Sequence, residues 1–251
     1  MNKISYASLG LCLAALCSGP AFGTVEIGFY EGRDTSSNIN YGDSVALGFS
    51  DLSSDGITFT APSATNGVET QAIGVLDSTL DSFDLYTAPS GSFTITMEAT
   101  SDYNGGAYTT GTDLVRGARN GTSGLGVGDN RLRSPEAIIF TVDLDQDFLD
   151  SGFQLQLLSL NDFDTSSNGP DASIFDSTGS LVGSSNDAFF TSPLVLGDGD
   201  TFAYVANNPA NRNQLGLLTL DIVAVPEPST YGILIAAIAF GVVAARRKKQ
   251  A

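Results

Sequence analysis

Short runs in which apolar and polar residues alternate dominate the chain from Thr24 onward. The clearest is SFTITMEAT, in which Phe93, Ile95, Met97 and Ala99 fall on one side and the residues between them fall on the other. A period of two is that of a β-strand with one buried face, and it is typical of antiparallel sheets. Helical periodicity is almost absent from this part of the chain. The pattern therefore predicts an all-β body.

Seven further runs predict strands at a spacing typical of β-sandwiches and barrels. They begin at Ser44, Ile57, Ala137, Phe153, Ala172, Thr201 and Leu215. Turn residues support this division, because residues 176–179 are Asp-Ser-Thr-Gly and residues 197–200 are Gly-Asp-Gly-Asp. No internal repeat or linker divides the body. We expect one antiparallel β-sandwich over residues 24–224, with 101–130 as a long loop or as the join between two smaller sheets.

The first 23 residues have the pattern of a secretory signal peptide. Lys3 gives a positive start, the apolar run LGLCLAALC follows, and small residues surround Gly23. We expect export and cleavage after Gly23, with residues 1–23 as the signal peptide. Both cysteines, Cys12 and Cys17, lie in the segment that cleavage removes, and the leucine before each of them disfavours a lipoprotein signal. The exported body then depends on its core rather than on disulfides.

An uncharged apolar stretch lies near the end of the chain. Residues 231–245 have the sequence YGILIAAIAFGVVAA, and four cations follow at once, Arg246, Arg247, Lys248 and Lys249. A helix of this length rises about 22 Å, less than the roughly 30 Å of a hydrocarbon core, so the pattern predicts a short transmembrane helix. The basic cluster is expected in the cytoplasm, which leaves the body outside. A buried core helix is disfavoured because it would not end in four cations.

Two prolines flank an acidic residue just before this apolar stretch. Pro226 and Pro228 lack a backbone N–H and favour extended backbone around Glu227. The motif, the short helix and the basic end occupy residues 225–251 in this order, and they closely resemble the PEP-CTERM sorting signal of Gram-negative bacterial envelope proteins. The resemblance implies that an exosortase, a membrane-bound transpeptidase-like protease, recognises Pro226, Glu227 and Pro228 and removes the tail. A plain membrane anchor with incidental prolines is the alternative.

A second block is similar to one found in exported PEP-CTERM proteins. It spans residues 124–143, where Asn130-Arg131-Leu132 and Glu136 fit the pattern and Arg133 stands where an aspartate is usual. The resemblance implies a jelly-roll-like or related β-sandwich. It implies nothing about the activity of the body.

The body is strongly acidic. Between residues 24 and 225 lie 27 of the 28 acidic residues and 6 of the 11 basic residues, a net charge of −21. Such a surface repels phosphate backbones, which excludes nucleic acid as a partner, and it attracts divalent cations.

The sequence contains no histidine, and its cysteines lie only in the predicted signal peptide. These absences exclude the usual zinc sites and catalysis by Ser-His-Asp or Cys-His groups.

The densest acidic cluster predicts a calcium site. Asp143, Asp145 and Asp147 alternate within five residues, and calcium prefers carboxylate and carbonyl oxygens. The segment is not an EF-hand, because Phe148 stands where the loop glycine belongs. Aspartates that form turns on a solvated edge are the alternative interpretation.

We therefore expect an exported protein without enzymatic activity, with a structural or adhesive role in the cell envelope, the extracellular matrix or exopolysaccharide. A carbohydrate-binding module is one alternative, with polysaccharide as the partner. A glycosidase that uses two carboxylates is another, although acids are so plentiful that no pair stands out and tryptophan is absent.

Overall fold

The computed structural model describes residues 21–29, 39–53, 56–61, 63–65, 70–72, 75–80, 91–119, 122–129, 131–162, 172–185, 189–207 and 213–225. Residues 21–223 form one compact unit, and a second unit comprises 1–20 and 224–251. Of the second unit only Ala224 and Val225 are described. The predicted transmembrane helix, 231–245, and most of the predicted signal peptide lie outside the described residues. Within the described part of the chain, no helix has the length and apolar character needed to cross a membrane.

Strands make up nearly all of the regular structure in the described residues. They are β1 (Ala21–Gly28), β2 (Ile39–Asn40), β3 (Ser44–Ser53), β4 (Gly56–Thr60), β5 (Ser63–Thr65), β6 (Thr70–Ala72), β7 (Val75–Leu80), β8 (Phe93–Thr100), β9 (Leu114–Arg119), β10 (Thr122–Val127), β11 (Ala137–Leu144), β12 (Phe153–Asp162), β13 (Ala172–Asp176), β14 (Leu181–Ser184), β15 (Leu194–Leu196), β16 (Thr201–Ala206) and β17 (Leu215–Ala224). One short helix, α1 (Gln146–Asp150), follows β11.

The strands form two large sheets and one small one. Sheet A has the order β15-β12-β17-β10-β9-β2, and β1 also pairs with β17 and with β7. Sheet B has the order β14-β13-β16-β11-β8-β3-β4, and β5 pairs with β6 separately. From β11 to β17 the chain crosses between sheets A and B five times. The prediction of an all-β body with two antiparallel sheets is confirmed, while the jelly-roll-like order stays a prediction.

One hydrophobic core draws on both large sheets, as a β-sandwich requires. In β8 the residues predicted to face inward, Phe93, Ile95, Met97 and Ala99, are at most 1% exposed, and the residues between them are partly exposed. Phe93 stacks on Phe49 of β3 with 4.4 Å between ring centroids. The alternation in the sequence therefore identified the buried face of a central strand.

The prediction for residues 101–130 is wrong in its second half. Residues 114–119 and 122–127 are β9 and β10, which pair as a hairpin within sheet A. The stretch contains many glycines, but Gly124 marks a close approach between two strands rather than a loop. A Cβ at Gly124 would lie 2.7 Å from Cβ of Gln214 and 2.9 Å from the carbonyl oxygen of Leu215, so only glycine lets β10 approach β17 this closely.

Candidate processing junction

Strand β17 leads directly into the predicted sorting signal. It pairs with β1 along residues 217–223 and neighbours β12, so the chain leaves the body from a strand inside sheet A. Its inward residues, Leu218, Leu220 and Ile222, are fully buried. The strand ends at Ala224, and Val225 is 46% exposed. Pro226 follows at once and has no N–H with which to extend the ladder.

The predicted signal-peptide cleavage site lies in the strand beside β17. β1 begins at Ala21, and its register pairs Gly23 with Ile222 and Ala21 with Val223, with an irregularity between the two. The predicted boundary after Gly23 therefore falls within a strand, and cleavage there removes the first three residues of β1. The start of β1 and the end of β17 thus lie side by side, and in the sequence the predicted sorting motif begins two residues after Ala224.

An ionisable side chain lies at this end of β17. Asp221 faces away from the core, because the residues on either side of it, Leu220 and Ile222, are fully buried. Thr24 of β1 is its register partner. Desolvation by burial raises the pKa of Asp221 to about 6, and a backbone hydrogen bond from Ile222 offsets only part of this effect. Its Oδ1 atom is buried and has no hydrogen-bond partner in the described part of the chain.

Sequence reasoning missed Asp221. Within the run LTLDIV it occupies an outward position of an alternating strand, where an acidic residue is ordinary. Its burial depends on how sheet A is covered, and no local pattern in the sequence indicates that.

Comparison with known families supports the interpretation of the C-terminus. The model of the PEP-CTERM protein-sorting motif matches residues 224–249. The chain carries a PEP-CTERM sorting signal. No curated protein and no solved structure matches the chain. The PEP-CTERM match confirms the resemblance predicted from the sequence. The PEP-CTERM motif implies export and processing by an exosortase.

The PEP-CTERM match begins at the last residue of β17. It includes Pro226, Glu227 and Pro228 and the four cations at 246–249, which lie outside the described residues. The last strand of the body therefore ends at Ala224, the residue at which the PEP-CTERM match begins. The body folds up to the first residue of the PEP-CTERM signal without an intervening linker.

The three predicted calcium ligands lie in different parts of the turn from β11 to α1. Asp143 is exposed near the end of β11, Asp147 is exposed in the first turn of α1, and Asp145 is the N-cap of that helix. Both carboxylate oxygens of Asp145 accept hydrogen bonds from within the chain. Within the described ranges, no three His, Cys, Asp or Glu side chains are grouped so that they could hold a metal ion. Calcium binding stays a prediction.

Within the block that resembles other PEP-CTERM proteins, residues 131–136 connect to the start of β11. Leu132 is fully buried, and its N–H donates to the carbonyl oxygen of Asn213 at 2.8 Å. Arg133 forms a salt bridge with Asp129 at 2.8 Å, and its backbone N–H donates to Glu136 at 2.6 Å. The residue that departs from the usual pattern, Arg133, thus pairs with an acid instead of adding another one.

A second feature bears on the carbohydrate alternative. On the outer face of sheet B, Tyr103, Tyr108 and Val205 pack against a small buried cluster of Ala137, Ile139 and Ala203. The ring of Phe175 lies 6.3 Å from that of Tyr103, between centroids. All three aromatic side chains are partly exposed. We call Tyr103, Tyr108 and Phe175 the aromatic face.

Proposed function

We propose that this chain is an exported protein of the cell envelope or extracellular matrix, held in the membrane until an exosortase removes its tail, with a body that has a structural or adhesive role. The signal peptide directs export, and the segment 231–245 is the transient anchor. The PEP-CTERM match is the observation that carries the proposal. The position of the match supports it, because the chain leaves the core at Ala224 and reaches the processing motif at once.

Pulse-labelling in hosts with and without exosortase tests this proposal. We expect the C-terminus to shorten only where exosortase is present, and a Glu227→Ala variant to remain full length. Ser229→Ala, two residues along the same segment, is the matched control and should be processed. A C-terminus that stays intact in both hosts contradicts the proposal.

We propose carbohydrate binding as a second candidate role of the body, with no catalytic step. The aromatic face favours it, because partly exposed rings beside carboxylates are the groups that hold sugar rings. Glu98 lies near Tyr108, and Asp176 lies near Tyr103. The net charge of −21 over residues 24–225 favours a neutral polysaccharide over an acidic one.

Affinity electrophoresis through gels that contain neutral polysaccharides tests the second candidate. We expect the protein to be retarded and Tyr108→Ala to lose the retardation. Phe189→Ala is the matched control, because Phe189 is an aromatic residue that is 61% exposed and does not belong to the aromatic face. Equal mobility of wild type and Tyr108→Ala in every gel contradicts this role.

A further inference from the structure

We propose that the amino group of Thr24, once freed by removal of the signal peptide, binds the carboxylate of Asp221. The inference rests on the export proposed above and on cleavage after Gly23. Hydrolysis of the Gly23–Thr24 bond consumes one water and leaves a carboxylate on Gly23 and an ammonium group on Thr24. The new cation arises on the strand beside β17, opposite the buried acid.

The register of β1 and β17 brings Thr24 and Asp221 together. The backbone N–H of Phe29 donates to the carbonyl oxygen of Gly216 at 2.8 Å, and the register runs without a shift from Gly28 back to Gly23. Phe29 and Gly216 are thus a hydrogen-bonded pair. Hydrogen-bonded and non-hydrogen-bonded pairs alternate along an antiparallel ladder. Thr24 and Asp221 lie an odd number of positions further along, so they form a non-hydrogen-bonded pair. In such a pair the Cα atoms are about 4.5 Å apart and the side chains are at their closest.

The same alternation leaves the new ammonium group free to turn toward the acid. The N–H of Thr24 faces β7, where Thr79 is its register partner. An ammonium group has three N–H bonds. One of them keeps the bond to β7, and the other two leave the plane of the sheet. One of these two points to the outward side, where the carboxylate of Asp221 lies.

The two strands that the structure pairs here, β1 and β17, contain no lysine or arginine. The next outward residue of β1 is Glu26, which lies opposite Thr219 of β17. Oδ1 is buried with no partner in the described residues, and a buried polar atom without a partner costs free energy. An ammonium group at Thr24 supplies the missing partner.

The pairing links the two processing events. In the precursor, the nitrogen of Thr24 belongs to a peptide bond and has no charge, so it offers the Oδ1 atom of Asp221 no cationic partner. After cleavage, the ammonium group and the carboxylate hold the end of β17 just before the PEP-CTERM signal. Removal of the signal peptide therefore stabilises the strand that presents the second processing site.

A comparison of precursor and cleaved protein tests the pairing. The full chain is made without membranes, so that it keeps its signal peptide, and a portion is then cut with purified signal peptidase in detergent. N-terminal sequencing establishes that the cut chain begins at Thr24. Melting temperatures are measured for wild type and Asp221→Asn in both forms. Glu26→Gln is the matched control, because it also removes an outward acid from this strand pair.

We expect Asp221→Asn to lower the melting temperature of the cleaved chain at pH 7 by about 2–4 °C, and to raise that of the precursor. Glu26→Gln should act equally on both forms. An equal effect of Asp221→Asn on both forms overturns the inference, as does cleavage at another bond. If Asp221→Asn does not fold, the pKa of the Thr24 amine in the cleaved wild-type protein tests the pairing instead. A value above the ordinary range of about 7.7–8.0 supports the pair, and an ordinary value overturns it. None of these measurements involves exosortase, so failure of C-terminal processing is a separate result.

Discussion

Asp145 binds Ser92, 53 residues earlier in the chain, through two hydrogen bonds to Oδ2. The backbone N–H of Ser92 donates at 2.7 Å and its hydroxyl donates at 2.6 Å. The other oxygen, Oδ1, accepts from the backbone N–H of Phe148 at 2.7 Å and so caps α1. Burial alone would raise the pKa of Asp145, but these hydrogen bonds together lower it. One carboxylate thus joins α1 to the start of β8.

Replacing Asp145 by alanine should destabilise the body by about 1–2 kcal/mol, because a helix cap and the link to Ser92 are lost together. Thermal unfolding at neutral pH measures this change. Asp143→Ala, two residues away and exposed, is the control and should change stability by less than about 0.5 kcal/mol. If calcium raises the melting temperature of wild type but not of Asp143→Ala, the cluster binds metal in addition to its capping role.

Gly91 should resist substitution for two separable reasons. Its φ of +97° is strained for any residue with a side chain, and a Cβ would overlap the Oδ1 atom of Asp145 and the backbone nitrogen of Phe148. Gly42 has a similar φ of +87° but open space around it. Gly42→Ala therefore measures the backbone strain alone, at about 1 kcal/mol. Gly91→Ala should cost clearly more in urea unfolding, and equal costs would contradict the predicted overlap.

The sequence predicted the fold where local pattern and tertiary environment agree. In β8 the alternation alone identified the buried residues, because β8 lies between β11 and β3 in sheet B and its inner face contributes to the core shared with sheet A. Strands β9 and β10 were not predicted, because glycines such as Gly124 are common in loops and the sequence does not show how closely Gln214 approaches. Similarly, β1 was hidden because its first residues belong to the predicted signal peptide. The sorting motif was predictable because it is a local pattern, whereas the pairing of Thr24 with Asp221 depends on a register between residues almost 200 positions apart.

Asp102 should control the loop that carries the two tyrosines of the aromatic face. Its carboxylate accepts hydrogen bonds from the backbone N–H of Thr109 at 2.9 Å, from the Thr109 hydroxyl at 2.8 Å and from Thr100 at 2.7 Å. The first of these is the main reason that the pKa of Asp102 is lowered. We expect Asp102→Ala to speed amide hydrogen exchange in residues 103–109 severalfold while the melting temperature changes little.

The control for the loop is Asp43→Ala, which removes an exposed acid just before β3. It should leave exchange in residues 103–109 unchanged. If Asp102→Ala also leaves it unchanged, the hydrogen bonds to Thr109 do not hold the loop, and packing of Tyr103 and Tyr108 on sheet B holds it instead.

The pH dependence of stability should reveal Asp221 in the precursor. Its folded pKa of about 6 lies above the ordinary value of about 3.9 for an unfolded chain, so between these values the folded state binds more protons. Stability therefore falls as the pH rises from about 4 to 6, and the cost persists at pH 7. Asp221→Asn removes the ionisable group, so the variant should exceed wild type in stability at pH 7 and approach it at pH 4. Since solvent reaches part of this side chain, we expect a difference of about 1 kcal/mol. Urea unfolding of the uncleaved chain at the two pH values measures it, and an identical difference at both contradicts the elevated pKa.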